Sequence, residues 1–155
     1  RKLRRLDGAG DFGQTEFSRA EDVMAGMDDF MLLHRMSTVG KADFMTNKRE
    51  RFFRRVAVAL AHENSTRLCF LELNGERVAT SLSFVYRDVR YLYNSGYNPA
   101  HSNLSVGFLN HALSIRSSIE QGYRVFDFMR GAEGYKYHLG GVNREVFAVT
   151  ATRSK

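Results

Sequence analysis

The chain has 155 residues, 43% of them apolar, which is the size and content of one domain with a real core, and 23 basic against 17 acidic residues give it a net charge of +6. No run approaches the ~18 to 20 apolar residues that a bilayer crossing needs, and nothing at the start resembles a charged-then-apolar leader, so the expectation is a soluble, cytoplasmic protein. The single cysteine, Cys69, lies in an apolar run where it reads as a small hydrophobe, which excludes a disulfide framework and a cysteine-based metal site.

Arg1–Leu6 looks like the end of a helix, and the abrupt start at Arg1 suggests a domain from the C-terminal part of a longer chain. Asp7–Gly10 turns the chain, and Asp11–Phe17 is a weak strand anchored by Phe12 and Phe17. Ser18 with Glu21 fits a capping box for a helix from Arg19 to about Met36, which Gly40 should break. Asn47 with Glu50 repeats that arrangement before a second amphipathic helix, Lys48–His62. Its basic cluster is explained by a solvated helix face as well as by nucleic acid, another cluster lies at Arg1–Arg5, and the charge excess is split evenly between residues 1–60 and 61–155. Asn74-Gly75 between apolar runs predicts a hairpin of strands Arg67–Leu73 and Arg77–Tyr86, because both turn residues must tolerate positive φ.

The stretch from Val89 to Met129 organises the rest. It reads as a strand over Val89–Gly96, a loop through Pro99 with a turn or bulge at Gly96–Pro99, a helix over Ser105–Gln121 ended by Gly122, and a strand over Val125–Met129. Asn103 and Ser105 could cap that helix. A helix N-terminus fed by a strand offers unpaired N–H groups and the positive end of the helix dipole, which suit the phosphates of a cofactor. A short helix at Tyr135–Leu139 and a last strand over Arg144–Thr152 close the chain. The histidines show no metal-ligand spacing, so no metal is expected.

This order of elements resembles the GNAT N-acetyltransferase fold. Phe30–Arg35 with Gly40 and Phe44, Gly75–Ala79, Gly96–Pro99, Ser105–Gly107 and Phe126–Lys136 together resemble its cellulose and exopolysaccharide branch, related to Fem-type peptidyltransferases. The resemblance implies an α/β (α+β) domain with a mixed, mostly antiparallel sheet, a central splayed strand pair, and helices on both faces. It implies an acyltransferase that takes its acyl group from acetyl-CoA or another acyl-CoA and passes it to an amine or hydroxyl of a sugar, polysaccharide or cell-wall precursor. Alternatives are an aminoacyl-tRNA donor, as in the Fem-type relatives, or a degenerate binding domain; a homodimer is compatible with either. The donor would lie along Asn94, Ser95 and Gly96, with its pyrophosphate on Asn103, Leu104, Ser105, Val106 and Gly107. Of the usual pyrophosphate pattern only Gly107 matches. Lys136 would face the developing oxyanion, Tyr135 or Tyr137 would protonate the leaving thiolate, and Asp127 or Glu133 would act as base; His34 would face the acceptor.

Overall fold

The computed structural model describes residues 1–153 of the chain, and among these five strands make one sheet in chain order. The strands are β1 (Phe12–Phe17), β2 (Thr66–Leu73), β3 (Glu76–Tyr86), β4 (Val89–Tyr97) and β5 (Val125–Asp127). Neighbours from β1 to β4 pair antiparallel, and β4 pairs with β5 in parallel. The β2–β3 turn is the expected one: Asn74 and Gly75 both take positive φ, 51° and 80°. A crossover through the long helix is what allows β5 to return parallel.

Helices cover both faces. The helices are α1 (Lys2–Asp7), α2 (Ala20–Ser37), α3 (Val39–Phe44), α4 (Asn47–His62), α5 (Val106–Glu120) and α6 (Gly134–His138), with a 3-10 turn over Pro99–Leu104. On one face α2 and α4 bury Val23, Met27, Phe30, Phe53 and Ala57 against Leu68, Phe70 and Leu82. On the other, α1 and α5 bury Leu6, Val106 and Leu109 against Leu71, Val78 and Ala79. Burying those apolar stripes is the main force that fixes the layers.

Several local expectations are corrected. The chain does not break at Gly40 but at Thr38, which has extended backbone and caps a separate helix, α3, by accepting from Lys41 N at 3.2 Å; Gly40 lies inside it. Thr46 rather than Asn47 caps α4, and α2 starts without a side-chain cap at Arg19. β4 runs through Gly96 to Tyr97, and its bulge sits earlier: Leu82 opposes Asn94 while Ser83 opposes Leu92, leaving Tyr93 as the extra residue. β5 is short, ending at Asp127 rather than Met129. The expected strand over Arg144–Thr152 does not form. Val146, Phe147 and Val149 are adjacent or two apart, so no single face of a pleat would gather all three, and they stay 89%, 78% and 91% exposed.

Candidate functional site

Past Tyr91 the parallel strands part. β5 pairs with β4 only at Val89–Val125, Arg90–Phe126 and Tyr91–Asp127, whereas β4 continues for six more residues to Tyr97. The divergence has a local cause: Asp127 Oδ1 accepts from Met129 N at 2.6 Å, and Met129 takes a left-handed φ of 56°, so the chain swings out of the sheet. The result is a wedge with the Leu92–Tyr97 edge of β4 as one wall and the segment from Met129 to α6 opposite it.

At the mouth of the wedge lies the start of α5. Ser105 adopts a left-handed conformation, φ 57° and ψ 38°, immediately before the helix, and no side chain caps α5 among the described residues. Its first amides are therefore free to meet an anion. Lys2 Nζ donates to Ser105 Oγ at 2.9 Å and Arg5 donates to Asn103 O at 3.1 Å, so two cations of α1 stand beside that terminus.

Side chains from five elements converge deeper in. His34 of α2 is buried; its Nε2 donates to Asn94 Oδ1 at 3.1 Å, leaving Nδ1 without a partner. Asn94 Oδ1 also accepts from Ser95 N at 2.9 Å, and Lys41 of α3 donates from Nζ to Ser95 O. His111 of α5 is buried with Nδ1 unpartnered, and its ring stacks on Tyr135 of α6 with centroids 5.1 Å apart. Burial first, and then the charge of Lys41, brings both imidazoles down to about 4, so they are neutral at neutral pH. Burial and then Glu133 push the Tyr135 hydroxyl up to about 12. Lys41 is itself held below the ordinary lysine value by burial, with Glu133 acting against the shift.

A family model described as "Acetyltransferase (GNAT) domain" matches residues 1–137. The chain belongs to this family. No curated protein matches this chain in sequence. Among solved structures it is similar to an aminoglycoside acetyltransferase from an uncultured soil metagenomic sample in complex with sisomicin, at 14% identity over 96% of this chain and 99% of that one, with a TM-score of 0.60. It is also similar to AAC(6')-Iy in complex with a bisubstrate analogue, CoA-S-monomethyl-acetylneamine, at 11% identity, 94% and 100% coverage and TM-score 0.63. A third is glucosamine-6-phosphate N-acetyltransferase from Arabidopsis thaliana, at 12% identity, 92% and 99% coverage and TM-score 0.56. At these identities the likeness is one of fold, and the open, mostly antiparallel sheet with helices on both faces is that of a GNAT enzyme.

Within this GNAT domain the residues singled out from sequence fall in one region with different local duties. Asn94, Ser95 and Gly96 form the wedge wall, and Asn103 to Gly107 form its mouth. Lys136 is 6% exposed, with Nζ donating to Arg130 O at 2.8 Å and Gly131 O at 3.1 Å and pairing with Glu133 at 2.8 Å. That pairing is the first cause of the lowered Glu133 carboxyl. Asp127 is engaged in its turn with Met129, and Tyr137 donates to Asn143 Oδ1 at 2.8 Å. Among the described residues the Tyr135 hydroxyl has no hydrogen-bond partner, and no cluster of acidic, histidine and cysteine side chains could hold a metal. Nor is any helix among them long and apolar enough to cross a membrane. Lys41 and His111 escaped the sequence: Lys41 stands between the two expected helices, just past the break expected at Gly40, and His111 has no spaced partner along the chain. Both become visible only when α3 and α5 are placed against β4.

Proposed function

We propose that this GNAT domain transfers an acetyl group from acetyl-CoA to an amine or hydroxyl of a sugar-like acceptor, a polysaccharide or cell-wall precursor among them. The observation that carries the reading is the wedge opening directly onto the uncapped first turn of α5. A pantetheine arm is an extended chain of amides, and the unpaired edge of β4 is the surface on which such a chain can bond like an added strand. Asn94 satisfies the Ser95 amide and Lys41 its carbonyl, stand-ins that an arriving amide can replace. The pyrophosphate would meet the amides of Val106 and Gly107, with Lys2 and Arg5 adding charge.

Tyr135 would supply the proton. Its hydroxyl stays protonated across the working range, and it is free to donate to the leaving thiolate. Lys136 serves by fixing the Arg130–Glu133 turn that carries α6 and hence Tyr135. The sugar-like acceptor rests on the names of the structural relatives, which include sisomicin and glucosamine 6-phosphate.

Calorimetric titration of the chain with CoA tests the donor, and a micromolar dissociation constant is expected. Thiol release from acetyl-CoA over a panel of amino sugars then reads turnover. Tyr135→Phe should lower kcat by about 10²-fold or more and leave CoA affinity unchanged. Absence of heat with CoA would end the thioester reading, and tRNA binding that weakens steeply with salt would replace it.

A further inference from the structure

We propose that Lys41 is the electrophile of this site, its ammonium facing the acyl oxygen when a thioester lies along β4. The inference rests on the acetyl-CoA reading above. Thr38 ends α2 and caps α3, and its hydroxyl accepts from the backbone of Lys41, so Lys41, in the first turn of the new helix, is fixed in place by the cap. From there the half-buried side chain reaches Ser95 O, on the part of β4 that no strand pairs beyond Tyr91. The ammonium therefore stands inside the wedge, at the depth of Asn94–Gly96.

Two lysines border this space, and their bonding separates them. Lys136 has three oxygens, Arg130 O, Gly131 O and Glu133 Oε2, for its three protons. Lys41 has a single hydrogen bond among the described residues, to Ser95 O, and so retains donors for a ligand. The groups around it do not quench its charge: His34 and His111 are neutral, and the nearby carboxylate, Glu133, is already paired with Lys136.

The step then runs as follows. The lone pair of the acceptor amine or hydroxyl attacks the thioester carbonyl carbon, and the C=O π pair moves onto oxygen, where the Lys41 ammonium offsets the new negative charge. When the C=O bond re-forms, the C–S bond breaks with its electron pair on sulfur. Tyr135 protonates that sulfur and is reprotonated from solvent, while the acceptor gives its proton to solvent, so one proton is lost and one gained. A fixed cation in a site shielded from water stabilises the transition state more than the ground state, which is what raises kcat.

Lys41→Gln keeps a donor for Ser95 O and removes the charge, whereas Lys41→Arg keeps the charge. The expected result is that Lys41→Gln lowers kcat about 10²-fold with KM for acetyl-CoA and CoA affinity nearly unchanged, and that Lys41→Arg recovers at least a tenth of wild-type kcat. Should Lys41→Gln keep kcat within about threefold of wild type, or Lys41→Arg be as inactive as Lys41→Gln, the electrophile role is overturned while CoA binding still supports the donor reading. If wild-type chain gives no heat with CoA, the donor reading fails first and this one with it.

Discussion

Removing the Glu16 carboxylate would leave Arg90, which has no solvent exposure, without its 2.8 Å ion-pair partner. The same carboxylate receives Arg67 Nε at 3.5 Å and Gln121 Nε2 at 3.0 Å, and Arg90 also reaches Cys69 Sγ and Ser118 Oγ under α5. Burial works against the Glu16 charge, yet Arg90 and the hydrogen bonds around it win and hold its carboxyl below the usual value. Glu16→Ala should therefore lower stability by about 3–5 kcal/mol, measured by urea denaturation, because an uncompensated buried guanidinium costs more than the pair contributes. Pairing it with Arg90→Met should return most of the loss. At this scale the sequence was legible where the chemistry is local. Cys69 reads as a small hydrophobe from its apolar neighbours, and it is indeed buried, its thiol pushed up to about 11 first by burial. Arg90 sits between apolar residues in the same way but gives no sign of its partner, because Glu16 is on a strand three places away in the sheet.

Among the elements, β4 carries the most information, since its residues meet both faces and the wedge. Gly96 is needed there for close approach rather than for a turn: a Cβ built on it would lie 2.4 Å from His34 N and 2.5 Å from His34 Cα, both backbone atoms of α2. Gly96→Ala should thus push α2 away from β4, lowering the thermal midpoint by an amount matching roughly 1–3 kcal/mol and weakening CoA affinity in the same variant. An unchanged midpoint would show that α2 does not rest on this strand. Hairpin and long helices were readable because Asn-Gly chemistry and helical spacing are properties of neighbours along the chain. α3 and the missing last strand were not. Six residues give too few turns for periodicity to register, and whether Val146, Phe147 and Val149 pair depends on an edge elsewhere in the sheet.

Over the whole molecule, the two buried imidazoles link acid to unfolding. In the folded chain His34 and His111 titrate near 4 against an ordinary value of 6.5, so between those limits the unfolded chain binds the extra protons. Stability is complete above 6.5 and falls as pH drops toward 4, by on the order of 1.4 kcal/mol per unit for each histidine. Urea midpoints should decline over that window and flatten in His34→Gln or His111→Gln, whereas the carboxyls of Glu16, Glu50 and Glu133, all held low, add their loss below the ordinary 4.5. The layered architecture was legible from the order of elements alone, but the site was legible only in outline, since a splayed pair is a relation between strands about 30 residues apart. The extra residue at Tyr93 has one more effect on that relation. Arg90 looks to α5 and Tyr93 itself to the α2–α4 cluster; after Tyr93, Asn94 and Gly96 look to α2 while Tyr97 looks to α5. Odd and even positions have traded sides midway, so a chain lacking Tyr93 alone would keep Asn94, Ser95, Gly96 and Tyr97 and present each to the wrong helix.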